Sequence, residues 1–237
     1  PTIQVDSLRC VYSDVNHNAF TDLVEFQGAF YLSFRSNPVS HLAHPGTLVH
    51  ILKSADGVDW TEVYSFETPG KDLRDPHFVV LNDQLFAYSG FAFLEDVQNI
   101  GRQFGYGVSS SDGEHWSEPT PLGGTDGRFV WSAVEHEGKA YIGTCRKRDF
   151  DPESGPHAKD LAYQWSLMES EDGLTFRQTL DFPQDGGVET GFLFEDDGTV
   201  LAIIRIVGPR PHNAVFWRAK PPYTEWSHTM LHRFIGG

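Results

Sequence analysis

The sequence has few of the residues that mark metal-binding, membrane-spanning or nucleic-acid-binding proteins. Two cysteines, Cys10 and Cys145, occur among 237 residues, and they form no metal-binding motif. A disulfide between them stays open at this stage. No run of about 18 apolar residues is present, so no ordinary transmembrane helix is expected. Lysine and arginine number 18 against 33 acidic residues, which gives a formal charge of −15. Such a chain has no electrostatic affinity for nucleic acid or anionic membranes. The compartment stays open.

A repeated turn motif is the main positive feature of the sequence. The pattern Ser-x-Asp-Gly-x-x-aromatic occurs at residues 54–60, 110–116 and 170–176, at steps of 56 and 60 residues. A fixed period indicates one structural unit copied along the chain. Asp-Gly between β-rich runs is a strong hairpin signal, because glycine adopts positive φ without strain. We interpret these Ser, Asp and aromatic residues as shaping the fold rather than performing chemistry.

Each repeat also contains an inner hairpin ahead of this turn. The alternation of apolar and polar residues and the turn residues predict inner hairpins near 19–35, 75–90, 129–146 and 189–205. A fourth copy of the turn motif is lost, although its closing Trp226 remains. Each repeat therefore consists of four antiparallel strands. Four-stranded units of about 50 residues that repeat along a chain are typical of a β-propeller.

The predicted fold is all-β, a β-propeller with about four blades, forming a single domain over residues 1–237. A β-sandwich is the second choice, but it gives no reason for a whole four-stranded unit to repeat. Residues 3–12 are predicted to form a strand, and residues 233–237 resemble the start of a fifth inner strand. We therefore expect part of a five- or six-bladed ring, incomplete at its C-terminal end. A four-bladed ring closed by the N-terminal strand is the alternative. An unclosed ring would expose strand edges and favour homo-oligomers.

Polar residues at the starts of the inner strands are the candidates for chemistry. The first repeat offers Asp22 and the third offers Trp131. Asp75 and Glu189 are the candidate catalytic residues, because two opposed carboxylates are what cleavage of a glycosidic bond requires. Asp75 precedes a proline where the strand pattern calls for an apolar residue. The alternatives are a strand-capping role for Asp75 and a solvated loop position for Glu189.

A second set of residues is predicted to bind the substrate. Arginines that end apolar strands must be paired or face water, and several around one axis can hold a carboxylate. Their alternative is pairing with acids of neighbouring blades. The predicted substrate-binding residues are Arg35, Arg74, His77, Trp131, Arg146 and Arg205. The cluster of His41, His44 and His50 has no firm metal-ligand spacing, so neither a metal nor a cofactor is predicted.

The three Ser-x-Asp-Gly-x-x-Trp/Phe turns resemble the Asp-box (BNR) repeats of sialidases. Phe34-Arg35-Ser36 is similar to the Phe-Arg dipeptide in the first blade of that family. The resemblance implies that Arg35 belongs to the arginine cluster that holds the substrate carboxylate, with Arg205 as a second member. It also implies that Glu189 supports the nucleophile. The family's nucleophilic tyrosine and acid/base aspartate are not assigned.

Arg74-Asp75-Pro76 resembles instead the Arg-Asp-Pro motif of five-bladed furanosidase-type propellers, in which Asp and Glu from different blades perform the reaction. Both resemblances imply a carbohydrate partner. We therefore expect a sialidase-related glycosidase that acts on an anionic sugar. The alternative is a non-catalytic propeller that binds a carbohydrate or a protein.

Overall fold

A computed structural model of the chain describes residues 4–93, 103–147, 163–185, 187–206 and 214–231. Within those ranges the chain forms sixteen β-strands and no helix. The strands make four antiparallel sheets, each of four strands that are consecutive along the chain. This architecture confirms the predicted β-propeller of four-stranded blades. The described residues include no helix with the length and apolar character needed to cross a bilayer.

The blades follow one another along the chain. Blade 1 comprises β1 His17–Phe26, β2 Ala29–Asn37, β3 Leu48–Ser54 and β4 Thr61–Phe66. Blade 2 comprises β5 Lys71–Leu81, β6 Gln84–Phe93, β7 Gly105–Ser110 and β8 Thr120–Pro121. Blade 3 comprises β9 Arg128–His136, β10 Lys139–Lys147, β11 Tyr163–Ser170 and β12 Arg177–Asp185. Blade 4 comprises β13 Gly187–Phe194, β14 Val200–Ile206, β15 Ala214–Ala219 and β16 Trp226–Leu231.

Two-residue turns close the inner hairpins of the first three blades. Both turn residues have positive φ at Gln27-Gly28, at Asn82-Asp83 and at Glu137-Gly138. This is the type I′ geometry, whose twist matches that of the two flanking strands. Short turns of this kind set the strand register, and the register decides which residues reach the far end of each blade.

The apolar core consists of layers between consecutive blades. Tyr31 and Leu73 belong to the layer between blades 1 and 2. Ile142 belongs to the layer between blades 2 and 3, and Trp165 and Val215 to the layer between blades 3 and 4. The inner strands β1, β5, β9 and β13 are neighbours in that order. Over the described ranges, no fourth layer joins blade 4 to blade 1, so the four blades form part of a propeller ring.

The Ser-x-Asp-Gly turns lie at the end of the blades where β1 meets β2. In the first turn, Ser54 Oγ accepts the N–H of Gly57 at 2.9 Å, and Asp56 Oδ1 accepts the N–H of Val58 at 2.8 Å. The second and third turns repeat both bonds. The later turns also contact the preceding blade: the hydroxyl of Tyr88 donates to the carbonyl of Gly173 at 2.8 Å. These turns therefore stabilise the loops and fasten one blade to the next.

The predicted N-terminal strand is wrong for residues 4–12, which adopt no regular structure. A strand needs a partner edge, and blade 4 already has four strands of its own, β13 to β16. The segment instead contacts the outward face of blade 1, where the ring of Tyr12 lies 4.7 Å from that of Phe34. Cys10 is exposed, Cys145 is buried, and both are free thiols. The predicted strand start at residues 233–237 lies outside the described residues.

Candidate active site

The four inner strands share one irregularity near their starts. In each of them the pairing with the second strand shifts register at the same level. The inner-strand residues that these β-bulges leave without a Cα partner are Phe20-Thr21, Asp75-Pro76, Trp131 and Val188-Glu189. Phe20 and Asp75 also have positive φ, at 61° and 48°. Bulges re-aim side chains, and left-handed backbone at residues other than glycine is concentrated at functional sites.

One residue from each bulge lines a single cavity of about 760 Å³. Every blade therefore contributes to its wall, and its volume lies within the range of small-molecule sites. The lining residues are Phe20, His41, Asp75, His77, Trp131, Ser132, Glu189, Thr190, Gly191, Ile203 and Arg205. The structure thus brings together five of the eight residues predicted for the site: Asp75, His77, Trp131, Glu189 and Arg205.

Asp75 is the cavity carboxylate whose pKa is dominated by burial. Burial raises the pKa of Asp75 to about 7; Arg74 acts in the opposite direction, and the negative charge of Glu189 adds to the increase. Desolvation disfavours the charged form of a carboxyl group, and a nearby like charge does so as well. Near neutral pH, Asp75 therefore exists in both protonation states and is able to donate a proton.

Glu189 has the opposite surroundings. Nη1 of Arg205 lies 2.6 Å from Oε1 and 2.7 Å from Oε2 of Glu189. The two residues face each other across the bulge between β13 and β14, which explains why they meet. Short bonds of this kind are typical of a charged donor on a charged acceptor. Asp75 and Glu189 therefore have different surroundings although they share one cavity: Asp75 is desolvated, and Glu189 is paired with an arginine.

Trp131 presents a partly buried indole whose orientation is constrained. Its Nε1 donates to Sγ of Cys145 at 2.9 Å, and its ring lies 4.2 Å from that of Phe129. Burial raises the pKa of the Cys145 thiol to about 12, so the thiol stays neutral and acts as a weak acceptor. On blade 1, the ring of Phe20 lies 5.2 Å from the ring of His41. The wall therefore has aromatic side chains on blades 1 and 3.

His77 lies beside Asp22, with 3.8 Å between His77 Nδ1 and Asp22 Oδ2. Burial lowers the pKa of His77, and the charge of Asp22 opposes that effect. Asp22 itself accepts the backbone N–H of Phe78 at 2.7 Å and does not line the cavity. Its carboxylate therefore connects blade 1 to blade 2. Within the described ranges, no three histidine, cysteine or carboxylate side chains converge to hold a metal ion.

Three of the predicted substrate-binding arginines do not line the cavity. Arg35 is 0% exposed, and its Nη2 lies 2.7 Å from Asp72 Oδ1 and donates to the carbonyl of Leu42 at 2.9 Å. Arg74 binds the other oxygen of Asp72 through Nε. Arg146 lies opposite Arg128 in the antiparallel register of β9 and β10, and Arg128 is buried. Arg35 and Arg74 therefore stabilise the loop that carries His41, whose carbonyl accepts from both.

Phe20, His41 and Ile203 line the cavity but were not predicted from the sequence. The spacing of the repeats could have identified Phe20 as a cavity residue. It precedes Asp75 by 55 residues, the same spacing that separates the corresponding hairpin turns at Gln27 and Asn82. No such signal marks His41, which reaches the cavity from an irregular loop.

The fold belongs to the class of β-propellers with four-stranded antiparallel blades. No protein-family model matches the sequence, and no curated protein matches it. Among solved structures, the chain is similar to the sialidase of Trypanosoma rangeli, with a TM-score of 0.69 at 12% identity over 90% of this chain. It spans 38% of that sialidase chain.

Two further solved structures belong to other glycoside hydrolase families. A family 117 glycoside hydrolase of Zobellia galactanivorans gives a TM-score of 0.61 at 13% identity, covering 90% of this chain and 68% of its own. A family 43 β-1,3-galactosidase, solved with galactodeoxynojirimycin, gives 0.58 at 13% identity, covering 91% and 76%. At these identities the likeness establishes the fold and leaves activity open.

Proposed function

We propose that this chain carries the carboxylate pair of a glycoside hydrolase, with Asp75 as proton donor and Glu189 as base or nucleophile. The observation that carries the proposal is the convergence of two bulges on one cavity, with Asp75 desolvated and Glu189 paired with Arg205. Divergent environments around two titratable groups are how an acid and a base are assigned at one pH. Asp75, near pKa 7, would protonate the leaving-group oxygen.

Glu189 would act on the anomeric carbon, either directly or through a water molecule. Its bonds to Nη1 of Arg205 hold the carboxylate in one orientation. The three solved structures named above are glycosidases of different families, which supports a glycoside as the substrate class. The Ser-x-Asp-Gly turns belong to the same proposal as Asp-box repeats of a sialidase-related propeller.

The proposal is tested with a panel of nitrophenyl glycosides that covers both anomers, pyranosides and furanosides, and neutral and acidic sugars. We expect the protein to release nitrophenol from at least one of them, and Glu189→Gln to lower that rate about 10²–10⁴-fold, the usual worth of a catalytic acid or base. Glu195→Gln is the matched control, because Glu195 forms an exposed ion pair with Arg218 away from the cavity. Equal rates for the Glu189 variant and the wild type would contradict the assignment.

A second candidate function is sugar binding without catalysis. The observation that favours it is the pairing of Glu189 with Arg205, which engages both oxygens of the carboxylate. Under this alternative, the cavity binds a sugar, yet no glycoside in the panel is cleaved. Measuring sugar affinity alongside hydrolysis separates the two candidates.

A further inference from the structure

The charge on the cavity wall is not that of a site for an anion. Within the described ranges, Arg205 is the one arginine or lysine on this wall, which also carries two carboxylates, Asp75 and Glu189. The contact between Arg205 Nη1 and both oxygens of Glu189 offsets the positive charge locally. The part of the wall formed by the described residues therefore has no net positive charge: it is neutral when Asp75 is protonated and negative when Asp75 is ionised.

The guanidinium groups of Arg35 and Arg74 are near the cavity but do not line it. Arg35 and Arg74 both bind the carboxylate of Asp72, and the side chains of Arg35 and Asp72 are fully buried. Releasing Arg35 toward a ligand would leave the Asp72 carboxylate buried with one partner fewer, and such charges are costly to leave unpaired. The guanidinium of Arg35 also lies 5.8 Å from the ring centroid of Phe20, which itself lines the cavity together with His41. These two arginines therefore contact residues that line the cavity without lining it themselves.

The two histidines on the wall provide hydrogen bonds rather than charge. Burial lowers the pKa of His41, and the positive charges of Arg74, His17 and Arg35 lower it further. Burial lowers the pKa of His77 as well. Both imidazoles are therefore neutral at neutral pH. A neutral imidazole offers one donor and one acceptor, which suits hydroxyl groups.

The remaining wall is apolar on two sides. Phe20 projects from blade 1 and Trp131 from blade 3, on either side of Asp75 in blade 2. Ile203 adds an aliphatic surface from blade 4. Aromatic rings pack well against the C–H faces of a sugar ring, because those faces carry no charge and little polarity. The arrangement alternates aromatic and carboxylate side chains from blade to blade.

We propose that this cavity takes an uncharged sugar ring, flanked by Phe20 and Trp131, and excludes sugars that carry a carboxylate. The inference rests on the proposed function for the identity of the site and adds the substrate class. It replaces the anionic sugar expected from sequence. Of the four arginines that motivated that expectation, Arg35 and Arg74 bind Asp72 and Arg205 binds Glu189. The fourth, Arg146, does not line the cavity. A carboxylate on the ligand would add a negative charge beside Asp75 and Glu189, and the described wall residues offer only Arg205, which is already paired with Glu189, to offset it.

The test compares sugars that differ only in the charged group. The probes are methyl glucoside with methyl glucuronide, methyl galactoside with methyl galacturonide, and the methyl ester of a methyl sialoside with the free acid. Titrations are followed by the amide and indole N–H signals in NMR spectra of the whole chain, with the indole signal of Trp131 assigned from Trp131→Phe. We expect at least one neutral member to bind and shift that signal, with its acidic partner at least about tenfold weaker, equivalent to about 1.4 kcal/mol.

Binding of an acidic member as tightly as its neutral partner overturns the inference, as does the absence of binding by every neutral sugar. Hydrolysis is scored separately. If neutral sugars bind and no glycoside is cleaved, the proposed catalysis fails and the substrate class stands. If an acidic glycoside is cleaved and Glu189→Gln abolishes that cleavage, the catalysis stands and the substrate class fails.

A charge-release variant sharpens the test. Glu189→Gln removes the negative partner of Arg205 and makes the wall more positive by one charge, so we expect the affinity for the uronic acid methyl glycosides to rise about tenfold. Glu195→Gln removes an equal charge from the exposed pair with Arg218. We expect it to leave the affinities for the neutral and for the acidic methyl glycosides unchanged. Equal gains in the two variants would mean that overall charge, rather than Arg205, sets the selectivity.

Discussion

The two ends of the blades repeat in different ways. At the end that carries the Ser-x-Asp-Gly turns, the same residue types recur and make the same hydrogen bonds three times. At the cavity end, the same bulge recurs in four blades, but the residues it presents differ: Phe20, Asp75, Trp131 and Glu189. Repeated residues at repeated positions indicate a structural role, whereas different residues at a repeated position indicate a specific site.

The aspartates of the two ends also differ in protonation. Hydrogen bonds from the backbone N–H groups of Thr175 and Leu174 lower the pKa of Asp172 to about 2, against burial. The pKa of Asp112 is lowered by the same kind of bonds, first from His115. Burial at the cavity end instead raises the pKa of Asp75 to about 7. The turn aspartates are therefore anions near neutral pH, whereas Asp75 is only partly ionised there.

The largest expected difference between the ends is in activity. Asp75→Asn should lower the hydrolysis rate on the preferred glycoside about 10²–10⁴-fold, because the amide cannot donate the proton that the leaving group needs. Asp112→Asn, at the turn end, should leave that rate unchanged. Steady-state kinetics on both variants measures this contrast. A similar loss of rate in the two would remove the distinction between the ends.

The next effect concerns stability and compares two turns with each other. Gly113 and Gly57 both have positive φ, but a Cβ at Gly113 would lie 1.9 Å from the hydroxyl of Tyr31 in blade 1, and one at Gly57 no closer than 3.9 Å to Phe30. Both Gly→Ala changes add similar backbone strain. The clash should make Gly113→Ala about 1–3 kcal/mol more destabilising than Gly57→Ala, the usual cost of overpacking.

Urea unfolding of both alanine variants measures this difference in the free energy of unfolding. Equal values would mean that the turns stabilise their own loops only and do not fasten the blades.

The pH dependence of stability separates the two kinds of aspartate. The pKa of Asp75 rises from the ordinary aspartate value of 3.8, which applies to the unfolded chain, to about 7 in the folded protein. The folded state therefore binds more protons between those two values. Its contribution to stability is present at low pH and is lost as the pH rises toward about 7. Asp75→Asn lacks this titration. The difference between its unfolding midpoint and that of the wild type should therefore increase, in favour of the variant, as the pH rises from about 5 to about 8.

Asp172→Asn is the control for this measurement. The lowered pKa of Asp172 places its stabilising contribution above about pH 4, where it is constant, and that contribution is lost only under stronger acid. The difference from the wild type should thus stay flat over the same interval. A flat difference for Asp75→Asn as well would contradict the raised pKa of Asp75.

The smallest expected effect tests whether repeated turns contribute equally. Ser54 and Ser110 each accept the N–H of the turn glycine, at 2.9 and 2.8 Å, and both are buried. Ser→Ala at either position should cost about 1 kcal/mol, the net worth of one hydrogen bond, without changing activity or sugar binding. Thermal unfolding of the two variants gives the comparison. Unequal costs would show that the turns are not equivalent locally.

Local sequence determined much of the fold. The spacing of the Asp-Gly turns and the inner hairpins gave the four-stranded blades, because turn residues such as Gly57 act on their own neighbours. Asp75 was identifiable as a polar residue in an apolar strand pattern, and Glu189 from its place at the start of an inner strand. These predictions use contacts within a few residues, and such contacts are readable from the chain.

Tertiary structure alone decided how the charges are shared. Arg35 and Asp72 lie 37 residues apart in different blades, and only their packing shows that this arginine is buried against a carboxylate. The prediction that Arg35 helps to hold a substrate carboxylate was made without knowledge of this buried partner, Asp72. Phe20 and His41 likewise reach the cavity through a bulge and an irregular loop. The partner of a charge and the direction of a bulged side chain depend on neighbouring blades, so local pattern does not specify them.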